Sequence, residues 1–363
     1  MIAIQKELER CKKKGLSGVI GTIISTEGST YQKAGTKCFI SEDRHLTGIL
    51  SGGCVESDIM EHAFKVLKNE KPTVLHYNFY GDEDIVWGLG VGCNGKINIL
   101  LEPYLPAKQP EKAALIERYF SDSLKKPLHA ITVVEANDES LQGKTWIIDA
   151  VDTKSGSTIS VQDIADDYKK RKKNLKNELV HLGGEQNLYV YYESVSPPPH
   201  LIVFGAGPDA IPLVKMAKNL KWMVTVLDYR PSYCSKDHFP DADDLCLYPS
   251  GSVPKVSLHQ NSYVVIMTHN FLHDKEILEE ILNSDAAYIG LLGPRKRTDQ
   301  LIAASDILVN NDKVHLLHSP IGLDIGAKTP EEIALSILAE ITIVYRGGSG
   351  QKLSQLADMR QSV

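Results

Sequence analysis

A cysteine behind two glycines, in "SGGCVESD" at residues 51–58, is the first place where this chain could do chemistry. Glycine lets backbone come close to a ligand or take left-handed angles. A thiol at the start of a helix loses its proton more readily than a free one, and the thiolate is the form that attacks or binds metal. Cys54 is therefore a candidate reactive sulfur, with Gly52, Gly53 and Glu56 around it. The same residue types also describe a buried thiol at a tight turn. A second glycine-dense loop, "IVWGLGVGCNG", surrounds Cys93. The other cysteines (Cys11, Cys38, Cys234, Cys246) are scattered, and no CxxC occurs, which argues against a zinc ribbon or an iron–sulfur cluster. Most of them are expected to be core filler.

A different chemistry is written in "VFGAGPDA", where Gly205, Gly207 and Ala210 follow an apolar strand in the GxGxxA form. Asp228 ends the next strand, "VTVLDY", about twenty residues on, where a ribose-binding acid falls in dinucleotide-binding folds. This combination predicts a Rossmann-like fold and leaves bound NAD(P) as a separate question. Pro208 and Pro212 both lack an N–H, so the loop and first helical turn offer fewer donors to a pyrophosphate. Asp228 has alternative roles as a cap or as the partner of Arg230. The Tyr-x-x-x-Lys spacing of short-chain dehydrogenases occurs at Tyr104/Lys108 and Tyr168/Lys172, both ahead of the glycine loop and out of place for that chemistry.

Ligands of such sheets bind outside the carboxyl ends of the strands. Here those ends carry Asp228 and Arg230, then Thr268, His269 and Asn270, with Asp274 just beyond. Arg295, Lys296 and Arg297 follow, and then Gly322, Asp324 and Gly326 ahead of the last helix. Together they predict a pocket for a polar, phosphate-bearing molecule, since Arg and exposed N–H groups match phosphate oxygens. Taken singly, each is a common loop-end residue, and His269 alone reads as a hydrogen-bonded structural histidine.

The elements that must position these groups separate into stretches. Residues 1–105 read as an α+β domain: a helix ending at Gly15, strands "SGVIGTIIST" and "GTKCFIS", a helix "ESDIMEHAFKVLKNEKP" and a closing strand "GKINILLEPYLP". Residues 106–195 hold a helix, two strands ("LHAITVVEA", "GKTWIIDA") and the basic run "YKKRKKNLKNE", expected to be a solvated helix face and packed with the first domain. "SPPP" at 196–199 marks a linker, and residues 196–363 alternate strands with helices as a doubly wound parallel sheet does. Thr329, Pro330 and Glu332 predict a capping box on the final helix. The fold class is thus α/β, a C-terminal Rossmann-like sheet plus a separate N-terminal α+β domain.

Composition bounds the partners. With 42% hydrophobic and 24% charged residues and a net charge of -6, the 363-residue chain is globular, with no reason to expect nucleic acid or an anionic membrane. The charged start and the lack of a long apolar run predict neither a secretory signal nor a membrane span, hence a cytoplasmic protein. The apolar last helix is a candidate dimer interface, so a homodimer is among the expectations.

"EGSTYQKAG", "GGCVE", "GCNG", "FGAGPDA", "LLGPRKR" and "SPIGLDIGAKTPEEIALSILAEI" occur in that order. With them the sequence resembles the XdhC/CoxI family, accessory proteins of xanthine dehydrogenase and related molybdenum hydroxylases, over about residues 5–105 and 198–348. The resemblance implies a molybdenum-cofactor chaperone, which binds the cofactor, keeps it while a cysteine desulfurase supplies the terminal sulfur, and delivers it to the apo molybdenum hydroxylase. It also implies that Cys54 and Cys93 match the family's two glycine-flanked cysteines, as candidate molybdenum contacts. Two positions depart from the pattern: Gln32 where arginine is frequent, and Asn94 where glycine is frequent. The cofactor's phosphate suits the basic rim, and its soft-ligand-seeking metal suits a thiolate. The competing reading is an NAD(P)-dependent oxidoreductase using the rim. A xanthine dehydrogenase proper is not expected, because the chain is short and lacks iron–sulfur spacings and a recognisable flavin module.

Overall fold

The structure, a computed structural model, describes residues 1–53, 55–80, 95–150, 159–184, 186–305, 308 and 312–355. It forms two compact units, Met1–Pro197 and Pro198–Val363, divided inside the proline run.

In the first unit, helix α1 (Ile2–Lys14) buries Ile4, Leu8 and Cys11, the spacing of one helical face. An antiparallel sheet follows, with β1 (Gly18–Gly28), β2 (Lys37–Ser41), β3 (Leu46–Thr47), β4 (Thr73–Asn78) and β5 (Gly95–Tyr104) in the order β3-β2-β1-β5-β4. Helix α2 (Glu56–Asn69) is inserted between β3 and β4. Alternation along β1 divides its side chains between two cores. Val19 and Ile23 pack with Ile59, Ala63 and Val66 of α2, whereas Ile20 and Ile24 join clusters on the other side. A bulge after Ile23 shifts the register against β5.

Helix α3 (Pro110–Asp122) leads into a second antiparallel sheet, β6 (Leu128–Glu135), β7 (Thr145–Asp149), β8 (Glu178–Leu182) and β9 (Leu188–Val195), ordered β7-β6-β9-β8. Helix α4 (Gln162–Arg171) covers one face through Ile164, Ala165 and Tyr168. Val134 and Tyr191 on the other face meet Ile24 and Leu100 of the first sheet. The sequence reading has two strands in this stretch, and β8 and β9 add to them. The basic run ends α4 and continues as a 3-10 turn. There Lys169 pairs with Asp166, and Arg171 with Asp167 and Glu178, so much of its charge is answered locally.

The second unit is a parallel sheet of β10 (His200–Phe204), β11 (Met223–Asp228), β12 (Asp244–Leu247), β13 (Ser262–Ile266), β14 (Tyr288–Leu291) and β15 (Leu317–His318). Its order, β12-β11-β10-β13-β14-β15, is that of a Rossmann fold, with the switch point between β10 and β13. The intervening helices are α5 (Ala210–Asn219), α6 (Phe271–Ile281), α7 (Arg295–Ala303) and the final α8 (Pro330–Arg346). The α/β class expected from sequence holds, with antiparallel sheets in the first unit and the parallel sheet in the second. The central strands β10, β11, β13 and β14 are buried on both faces, by α5 with α8 on one side and α6 with α7 on the other.

Helix α8 starts with the predicted capping box. Glu332 N–H donates to Thr329 Oγ1 at 3.3 Å, and Thr329 N–H donates to Glu332 Oε2 at 3.0 Å. Leu335 and Val344 are exposed on this helix. Among the described residues, no helix is long and apolar enough to cross a membrane. Thr329→Ala is expected to lower stability by about 1 kcal/mol. Hydrogen exchange should show the loss first at the Glu332 amide, with the amides of β10 unchanged.

Candidate functional site

The glycine–cysteine turn is organised by one carboxylate. Glu56, the first residue of α2, accepts hydrogen bonds from the N–H groups of Leu50 (3.2 Å), Ser51 (2.8 Å) and Gly53 (2.9 Å), and from the Ser51 hydroxyl (2.5 Å). The Val55 N–H donates to Ser51 Oγ at 3.1 Å. Gly52 and Gly53 sit at φ 77° and 110°, which L side chains rarely adopt, so the turn requires glycine at both. The exposed Tyr31 ring lies over Gly52, where an added Cβ would meet ring carbons at 3.3 Å. This brings the "TYQKAG" loop onto the "GGCVE" turn. Cys54 and Cys93, with Asn94, lie outside the described residues, while Gln32 is half-buried. Burial opposes ionisation of Glu56, but the Ser51 hydroxyl and the Ser51 and Gly53 amides hold its carboxyl below the ordinary range. Beside the turn lies a shallow hollow lined by Arg44, Glu56, Ser57, Met60, Glu61 and Phe64, with the Arg44 guanidinium 4.7 Å over the Phe64 ring.

In the second unit the rim residues divide into those used by the fold and those left outward. Asp228 is buried and accepts from Ala206 N–H (2.7 Å), Arg230 N–H (2.8 Å), Arg230 Nε (3.0 Å) and Arg230 Nη2 (2.7 Å). These bonds fill the roughly four acceptor sites of a carboxylate, leaving little for a ribose. Arg230 is further held 4.4 Å over the Tyr233 ring. Asp274 is likewise buried, taking the Thr268 hydroxyl on one oxygen and Arg297 Nη2 on the other. Asn270 caps α6 through Leu272 and His273 N–H. Asp228 and Asp274 thus fasten loops together from inside, while Asn270 and part of Arg230 remain at the surface.

Other rim groups stay outward. Lys296 and Asp324 are exposed. Arg295, 73% exposed, touches the Ser319 carbonyl and Asp299. Gly322 donates its N–H to Glu340 of α8. Gly205 is fixed by packing, since it has φ 115° and a Cβ there would lie 2.4 Å from the Met267 carbonyl oxygen. At Gly207 the nearest neighbour of a Cβ is only the Asp209 carboxylate, at 2.5 Å.

Asp209 precedes α5 and makes no side-chain cap. Its Oδ2 instead meets His269 Nε2 at 2.8 Å, and His269 has φ 61°, so a strained histidine bridges the two loops at the switch point. A carboxylate at this helix start repels the pyrophosphate that a dinucleotide would place there.

The XdhC and CoxI family profile matches residues 11–78, and that of the XdhC Rossmann domain matches residues 201–341. A Bacillus subtilis (strain 168) protein, named as a probable subunit of xanthine dehydrogenase, is 31% identical over 325 residues, 89% of this chain and 92% of that protein. The chain belongs to the XdhC and CoxI family. A Bacillus halodurans crystal structure described as a xanthine dehydrogenase superposes with a TM-score of 0.72 at 33% identity, covering 95% of this chain and 96% of that one. The molybdenum cofactor insertion chaperone PaoD of Escherichia coli (strain K12) is 19% identical over 333 residues, 91% of this chain and 84% of that protein.

The XdhC and CoxI match contains the Glu56-held turn, and the XdhC Rossmann match contains the whole rim from Gly205 to Asp324. Cys11, Cys38 and Cys234 are poor reactive groups. Burial pushes Cys38 up to about 12 and Cys11 up to about 11, and it also raises Cys234. Sequence reasoning missed the Asp209–His269 bridge, and it missed Glu340, which gathers Tyr288, His318 and Gly322. The only signal for Glu340 is an acid on the inward stripe of an apolar helix.

Because the Glu56 carboxyl is depressed in the fold, its contribution is present above the ordinary glutamate value of 4.5 and is lost as pH falls below it toward the folded value. Glu56→Gln should flatten that acid dependence. It should also speed amide exchange at Ser51 and Gly53 by about tenfold, the loss of ~1.5 kcal/mol from a charged hydrogen bond. Unchanged exchange at both amides would show that the turn stands without the carboxylate.

Proposed function

We propose that this protein is a maturation factor for a xanthine dehydrogenase-type molybdenum hydroxylase, carrying molybdenum cofactor as cargo. On this reading it holds the cofactor while a cysteine desulfurase supplies the terminal sulfur, then hands it to the apo-hydroxylase. It acts as a chaperone rather than a catalyst, working in the cytoplasm and as a homodimer.

The observation that carries the reading is the turn before Cys54. Gly53 N–H is pinned by Glu56 and Val55 N–H by Ser51, so the backbone on either side of the thiol is fixed. A rigid exposed turn bearing a sulfur suits a soft metal centre, which thiolates bind well. Cys54 and Cys93 are assigned as the molybdenum contacts; within the parallel-sheet unit, taken by itself, Arg230, Arg295 and Lys296 are the candidate phosphate-binding groups. The relative named as a molybdenum cofactor insertion chaperone supports the same cargo. The oxidoreductase alternative is weakened by Asp228, whose acceptor sites are filled within the fold, and by Asp209 at the helix start.

The test is equilibrium binding of released molybdenum cofactor to the wild-type protein and to Cys54→Ser, with NAD as a parallel ligand. Cofactor binding is expected to weaken by at least about tenfold, ~1.4 kcal/mol, in the variant. NAD should bind at least about a hundredfold more weakly than the cofactor, ~2.8 kcal/mol. NAD binding without cofactor binding would return the protein to the oxidoreductase reading.

A further inference from the structure

The first unit contains a second cavity that the cofactor reading does not use. It measures about 60 Å³ and is lined by residues of both antiparallel sheets and of α3. A water needs about 10–15 Å³ of such space, so the cavity holds roughly four to six waters, or a molecule of similar bulk. Its walls are apolar over Ile20, Leu100, Leu115, Ile116 and Ile147.

Its charged groups are not all satisfied. Lys37 and Glu193 pair at 3.0 Å, both nearly buried, and Lys37 also reaches Thr22 Oγ1 at 3.1 Å. That pair balances itself. Glu102 from β5 and Lys112 from α3 also line the cavity. Among the described residues neither makes an ion pair or side-chain hydrogen bond, with each other or with any other group, although Glu102 feels the charge of Lys112. Burial raises the Glu102 carboxyl, against the pull of Lys112 and then Lys37.

Two tyrosines of the lining, Tyr119 and Tyr191, are more than nine-tenths buried, and among the described residues the Tyr191 hydroxyl has no hydrogen-bond partner. The Tyr119 hydroxyl lies beside Glu193, and burial first, then the Glu193 carboxylate, raise it well above its ordinary value. An unmade buried hydrogen bond is costly, so such groups mark a place where something else is to be bound.

We propose that this cavity is a binding site for a small zwitterion of the α-amino acid class, its ammonium on Glu102 and its carboxylate on Lys112, with the side chain against the apolar wall. The charge pattern selects this class over its neighbours. An anion alone would leave Glu102 unanswered beside it, and a cation alone would face Lys112. A divalent metal would find one unpaired carboxylate and a lysine. The site is independent of the cofactor reading.

The experiment is ligand-observed NMR and calorimetry on the full chain with glycine, L-alanine, L-serine, L-valine and L-leucine. Propionate and propylamine serve as controls that each carry a single charge. At least one amino acid is expected to bind with a Kd of ~1 mM or tighter, and both controls at least about tenfold more weakly. Lys112→Met and Glu102→Gln should each weaken that binding by about tenfold or more, with the far-UV spectrum retained. Equal binding of controls and amino acids overturns the proposal, as does the absence of amino acid binding at ~10 mM, which would mean that the cavity holds water alone. The wild-type ligand comparison decides even if a variant fails to fold.

Discussion

Among the described residues, two glycine loops are each held from below by a single carboxylate. Glu56 gathers the N–H groups of Leu50, Ser51 and Gly53, and Asp228 gathers those of Ala206 and Arg230 together with the Arg230 guanidinium. Loops of this kind expose more donors than a helix or strand would, and a buried donor left unpaired is costly. A carboxylate accepts roughly four such bonds at once and so fixes a loop that has few side chains of its own. The rest of each site is built on that anchor. The turn before Cys54 and the mouth of the parallel sheet are rigid because their amides point inward to an acid.

The same anchoring decides what the loops can offer a ligand. An amide that donates to Glu56 or Asp228 is not available to a phosphate. In the Rossmann loop, Ala206 N–H is already engaged and Pro208 has none, while Asp209 places a negative charge at the start of α5. A loop with a dinucleotide-binding sequence pattern therefore offers a pyrophosphate fewer backbone donors than the pattern usually supplies. The polar groups left outward at this mouth are side chains, chiefly Arg295, Lys296 and the His269–Asp209 pair.

Much of the fold is legible in the sequence, for identifiable physical reasons. The central strands of the parallel sheet are short apolar runs buried on both faces, and the start of α8 is written in Thr329, Pro330 and Glu332. The short or polar edge strands are not. β4 ("TVLHYN") is mostly solvent-facing and gains its identity by pairing with β5. β15 is only Leu317–His318, fixed by its neighbour β14. Their conformations come from a partner strand rather than from their own residues.

The candidate site is legible to the extent that it is local. Glu56 lies within five residues of every group it binds except Leu50, six away, and Asp228 reaches Arg230 two residues on. The cavity of the first unit is the opposite case. Lys37, Glu102, Lys112 and Glu193 come from β2, β5, α3 and β9, and they meet because β5 pairs with β1 and β9 pairs with β6. No spacing rule links residues 37 and 193, yet their pair at 3.0 Å removes one positive and one negative charge from the account and isolates Glu102 and Lys112. The polar chemistry of that cavity is thus a product of sheet pairing. The turn leading to Cys54, by contrast, is a product of local sequence.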